Sequence, residues 1–154
     1  GSEPIAEWNV KCDIPSAQAV FAASWRSFTL VPIDSCALVS LPGNWIKILR
    51  YAPTALAREL GTQYLAWMRY WGYDETTNCI AGQPPVTQTS SLFDTVAVHL
   101  AGSDDFLKLR PMRLRVDDRG FCRKEESGNL LRVAIGWQDR TAFETHLAQK
   151  IMEA

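Results

Sequence analysis

The sequence predicts an α+β protein with a mainly antiparallel sheet, and three features carry that prediction. Apolar residues recur at helical spacing near 17–27, 53–72 and 139–152. Other short stretches alternate apolar and polar residues, the period of a half-buried strand. Helices gather toward the front and strands toward the back, a segregation that favours α+β over a parallel α/β sheet.

Taken in order, Glu7–Cys12 alternates Trp8, Val10 and Cys12 and reads as a short strand. Ser16 is placed to cap a helix carrying Ala17, Val20, Phe21 and Trp25 on its apolar side. Phe28–Val31 and Ala37–Leu41 read as strands on either side of a Pro32–Asp34 turn, and Trp45–Tyr51 fits both helix and strand. The second helix starts with Pro53 in its first turn and closes at Gly72. Its stripe of Leu56, Leu60, Tyr64, Trp67 and Trp71 is expected to face inward as the centre of the core. Tyr73–Ser91 is unpatterned and carries Pro84-Pro85, so it reads as a functional loop, a lid or a disordered segment.

Leu92–Leu100 returns to strand character. Pro111–Val116, Gly120–Lys124 and Leu130–Trp137 then suggest a C-terminal meander, turning at Asp117–Gly120 and Glu126–Asn129. In the last strand Leu131, Val133, Ile135 and Trp137 share the greasier face. A helix follows with Phe143, Leu147 and Ile151 on one side.

A chain of 154 residues is one domain long, expected over 3–154, with Gly1-Ser2 read as a vector-derived remnant of a domain cut from a longer protein. A formal charge of −1 supplies no global attraction to nucleic acid or to an anionic membrane. No apolar run reaches membrane-span length, so no membrane partner is expected. Cys12, Cys36, Cys79 and Cys122 form no C-x-x-C pair, which removes support for zinc. Their even number leaves disulfides open. The lack of an N-glycosylation sequon favours a reduced, cytoplasmic setting. Six tryptophans point either to a ring-rich core or to an aromatic cavity or interface.

Motifs for dinucleotides, P-loop phosphates, the hydrolase nucleophile elbow and zincin metals are missing, so no cofactor or metal is expected. The two histidines, His99 and His146, are the candidate acid–base residues, and with Trp137 they would line one cavity if the last helix crosses the sheet. The stretch Leu131–Leu147, with Trp137, Ala142-Phe143 and His146-Leu147, resembles the last strand and helix of antibiotic-biosynthesis-monooxygenase-like domains. That resemblance implies a ferredoxin-like α+β barrel, usually dimeric, with Trp137 and His146 at an oxidative site. Leu100–Arg110 is shorter than the long first helix of that family.

Between Lys108 and Lys124 seven cations face two acids, an excess of five. Arg113 and Arg115 alternate with Met112, Leu114 and Val116, so they project from one sheet face as candidate anion ligands. Trp67 and Trp71 complete the candidate ligand-binding set. The absence of a catalytic motif and the surplus of Trp lead to a non-catalytic binding or assembly module, with a protein partner or self-association as its expected contact. A small-molecule enzyme with an aromatic, histidine-lined pocket is the alternative. Nucleic acid ranks below both.

Overall fold

Strand β4 (Leu107–Val116) is the axis of a four-stranded mixed sheet, pairing antiparallel with β5 (Cys122–Lys124) on one edge and β6 (Asn129–Trp137) on the other. The short β1 (Thr29–Leu30) adds in parallel to β6, giving the order β1-β6-β4-β5. A second sheet has two strands, β2 (Tyr73–Asp74) and β3 (Cys79–Ile80). This computed structural model describes residues 5–153, so the reading of Gly1-Ser2 lies outside the described residues. The chain divides into two compact units: residues up to Ser35 with Val96–Gln138, and Cys36–Thr95 with Asp139 onward.

In the first unit α1 (Trp8–Cys12) replaces the expected strand. The alternation of Trp8, Val10 and Cys12 satisfies a strand period, but local capping prevails. The Glu7 side chain accepts from the Val10 N–H at 3.0 Å, and its carbonyl accepts from Lys11. Asp13, not Ser16, caps α2 (Ile14–Ala22), accepting from both the N–H and the hydroxyl of Ser16. Phe21 from this helix joins Leu114, Val116, Leu131 and Val133 in a core flanked by Ile14, Phe28 and Met112.

The three C-terminal strands form where expected, but not as a meander, because β4 rather than β5 is central. After β5 the chain crosses from one edge of β4 to the other. Glu125 donates to the Arg113 carbonyl on the first edge, and Asn129 pairs with Leu114 on the second. Gly128 sits at the crossing, where a Cβ would come within 2.5 Å of the Leu114 backbone. Only a residue without a side chain fits there. A register shift opposite Lys108/Leu109 also re-aims β6. Leu131 and Val133 are buried as expected, but at the shift Ile135 has no partner on β4 and turns outward, while Ala134 before it is buried. Among the described residues the sheet is open, with β1 and β5 as its edges, and does not close into the barrel that the family resemblance implied.

The short α3 (Ile33–Cys36) ends at the boundary between the units. In the second unit Ala37–Leu41 forms no strand; instead Val39 accepts from the Leu92 N–H, and Leu41 accepts from the Thr89 N–H and donates to the Thr89 hydroxyl. The ambiguous segment resolves as α4 (Trp45–Arg50), followed by α5 (Ala55–Tyr70) capped by Thr54. Gly72 closes α5 with φ +82° and an N–H donated to the Arg69 carbonyl. Tyr73–Ser91, unpatterned in sequence, has secondary structure of its own. It holds the β2–β3 hairpin and is tied down by Asn78 to Val86, Gly43 to Thr87 and Tyr64 to Ser90. The last helix, α7 (Arg140–Glu153), buries Phe143 and Ala148. Leu92–Leu100, read as a strand, is largely the helix α6 (Phe93–Leu100), which the division between the units cuts at Thr95/Val96.

The most consequential correction concerns α5. Its buried residues are Ala57, Gly61, Leu65 and Met68, whereas Leu56, Leu60, Trp67 and Trp71 are exposed. The reason is a close approach of two backbones. A Cβ on Gly61 would come within 2.8 Å of Leu49 Cβ and 3.1 Å of its carbonyl carbon. Such contact demands the smallest residues where α5 meets α4, at Ala57 and Gly61, while Leu65 and Met68 fill the wider space farther along.

In a free helix Gly→Ala stabilises by about 0.5–1 kcal/mol. At Gly61 the sign should reverse, because overpacking typically costs about 1–3 kcal/mol. The Gly61→Ala protein is expected to melt below the wild type by calorimetry, and an unchanged or raised melting temperature would show that α4 and α5 are not in close contact.

Candidate functional site

The exposed side of α5 carries Leu56, Leu60, Trp67 and Trp71 at 44–57% exposure, with Tyr70 beside them at 81%. Positions 56, 60, 67 and 71 share one helix face as a strip of two pairs four residues apart, with exposed Gln63 and half-buried Tyr64 between them. The rings hold one another. Tyr64 lies 5.6 Å from Trp67, Trp67 lies 6.4 Å from Trp71, and Tyr70 meets Trp71 edge-on at 5.4 Å. Tyr64 anchors the row, since its hydroxyl accepts from the Ser90 N–H at 2.6 Å and donates to the Ser90 hydroxyl. Mutual contact limits the rotamers that would otherwise be lost on binding.

Charge is kept off this strip. Arg58 donates to the carbonyls of Ala52 and Pro53. Arg69 pairs with Glu75, which Arg50 also meets at 2.8 Å. The Arg69 hydrogen bond, opposed by partial desolvation and aided by Arg50, holds the Glu75 carboxyl below its usual range. Glu59, the remaining charged residue of α5, accepts from Gln63 at 2.6 Å.

The other candidate residues fall elsewhere. Arg113 and Arg115 do project outward from β4, beside buried Leu114 and Val116. Their charge is largely answered within the sheet. Arg115 pairs with Glu125, and Arg123 pairs with Asp117 at 2.8 Å. Arg113 donates to the Gly128 carbonyl and faces Glu126 at 4.0 Å. Phe121 lies under the guanidinium groups of Arg119 and Arg123, a ring the strand pattern did not place among the cations.

His99 stands on α6, not on a strand, with Nε2 3.1 Å from the Asp105 carbonyl and its ring against Phe106. Trp137 is half-buried and donates from Nε1 to the Ser35 carbonyl at 3.0 Å. His146, on α7, is half-buried in the second unit. Sequence reasoning passed over an open groove of about 450 Å³ in the first unit, lined by Trp25, Arg26, Phe28, Pro111, Leu130 and Arg132. Its only sequence signal is Trp25-Arg26 directly after α2. Among the described residues no cluster of His, Cys, Asp and Glu is arranged to hold a metal ion, and no helix is long and apolar enough to cross a membrane. No protein-family model matches this chain, and no curated protein matches it at a significant level.

The cation face yields a pH prediction at Asp117. Its carboxyl accepts from Arg123, then from the backbone of Phe121 and Arg119, and is held down to about 2 from the usual 3.8. A carboxyl depressed in the folded state stabilises fully above its unfolded value, and that contribution disappears as pH falls through the folded value. Amide protection at Arg119 and Phe121 should therefore hold down to the ordinary carboxylate range and decline below it, toward about 2. An Asp117→Asn protein should show no such decline; the same decline in both proteins would exclude Asp117 as its source.

Proposed function

We propose that this chain is a non-catalytic binding or assembly module, and that its contact surface is the aromatic strip of α5. One observation carries the reading: a row of large apolar side chains on a well-capped helix, ordered by ring contacts yet open to solvent. Contiguous exposed apolar surface of several hundred Å² marks interaction sites in soluble proteins, whereas scattered exposed residues do not. Covering each large side chain is worth about 1.5–3 kcal/mol before the costs of association. Trp and Tyr are also the residues most often found to dominate binding energy.

Trp67 and Trp71, the two indoles of the candidate ligand-binding set, both lie within the strip. Trp8 is more exposed, at 72%, but sits on a five-residue helix without such neighbours, and Trp45 is half-buried against Leu49 and Ala57. The proposal includes a cytoplasmic setting, in keeping with Cys12, Cys79 and Cys122 standing outside any disulfide.

The test uses the full chain immobilised sparsely, so that copies stand apart, and challenged with amphipathic helical peptides that include its own 53–72 segment. Wild type should retain peptides that the Trp67→Asp/Trp71→Asp protein releases, while both give the same circular dichroism and melting curve. Equal recovery from the two folded proteins would remove the strip as a contact surface.

A further inference from the structure

We infer that the α5 strip is covered by a second copy of this chain, docked antiparallel across a two-fold axis near Gln63 and Tyr64. The inference rests on the binding reading above and names the occupant. Three observations point to it: the order of side chains, the placement of charge and the area left open.

The strip is palindromic in spacing and complementary in size: exchanging its two ends sets each small side chain against a large one. Inverting α5 about the midpoint of Gln63 and Tyr64 sets Leu56 opposite Trp71 and Leu60 opposite Trp67. Each aliphatic side chain from the first half then meets an indole from the second half of the mate. That large-against-small match keeps the two helices evenly spaced along their contact. A parallel pair would instead stack indole on indole at one end and leave only leucines to meet at the other. An isologous interface requires this self-complementarity, because each contact occurs twice.

Charge agrees with the same geometry. At 100° per residue, Arg58 and Arg69 fall away from the strip, and both are engaged within their own chain. Glu59 borders it and would come beside the Tyr70 hydroxyl of the mate, a carboxylate facing a phenol donor. No like charges meet along the seam. A membrane surface fits less well, because an interfacial helix of that kind carries Lys and Arg along its polar face. Here the polar face of α5 has no lysine, its two arginines, Arg58 and Arg69, are engaged within their own chain, and Glu59 flanks the strip.

The area suffices. With rings of about 150–250 Å² each, the exposed fractions of Trp67, Tyr70, Trp71, Leu56 and Leu60 leave roughly 500 Å² open per copy. A pair would bury about 1,000 Å² in all, the lower bound for a specific and reversible interface.

Sedimentation velocity across a hundredfold concentration range should show wild type passing from monomer to dimer. The single variants L60K and W67E should each dissociate at least ~10-fold more readily, since each places a charge twice in the seam. Mixed in equal amounts they should pair again, because the introduced cation of one faces the introduced anion of the other. L56R and W71D form an independent second pair by the same rule, should either first variant fail to fold. Failure of both mixtures to pair would overturn the antiparallel register, and a wild type that stays monomeric would overturn the dimer. Flotation of wild type, but not of W67D/W71D, with phosphatidylcholine–phosphatidylserine vesicles would overturn it in favour of a membrane. If the wild type is monomeric yet its Trp-dependent peptide binding persists, only the second copy is lost; if both are absent, the contact surface falls as well.

Discussion

Close contact between two helix backbones governs the second unit. Gly61 brings α5 against Leu49 of α4, a distance that no side chain at that position would permit without displacement. The inner face is consequently built from Ala57, Gly61, Leu65 and Met68, and satellites such as Tyr73, Ile80 and Val86 fill the space beside them. Rotating α5 to bury its indoles would lift the helices apart and forfeit many short dispersion contacts. The rings are therefore left outside by a packing constraint, and that constraint creates the surface on which the functional reading depends.

In the first unit the corresponding constraint is the crossing at Gly128. It makes β4 the central strand, so one side of the strand serves β5 and the other serves β6. The outward side chains of β4 and β5 are then held among the acids of their own turns. Arg115 reaches Glu125, and Arg123 reaches Asp117. The local excess of cations is real in composition but is partly neutralised in space. A linear charge count overstates such a stretch, because exposed pairs lower the field without leaving a trace in the sum.

Much of the element inventory was legible. The helices at 55–70 and 140–153, the turn at Asp117–Gly120 and the strands from Pro111 on follow from periodicity, caps and turn residues, which act over a few neighbours, whereas Leu107–Arg110 at the start of β4 went unread. Two short segments were misread for an equally local reason. In Trp8–Cys12 and Phe93–Leu100 the apolar residues satisfy both periods over so few positions that capping and hydrogen bonding decide. Ile135 escaped because a single register shift exchanges inside for outside along the rest of a strand.

What the amino-acid order determined unaided was the α+β class, the long helices, the approximate places of the C-terminal strands and the existence of an apolar stripe on α5. Which stripe goes inward was decided only in three dimensions. Hydrophobicity ranks Trp67 above Gly61, yet burial depends on how near the neighbouring backbone can come, and that distance belongs to the packing of two helices, not to the periodicity of either one. The same holds for β4, whose central place follows from a crossing that turn chemistry at Glu126–Asn129 permits but does not specify. Local forces select conformations residue by residue; long-range excluded volume selects the faces.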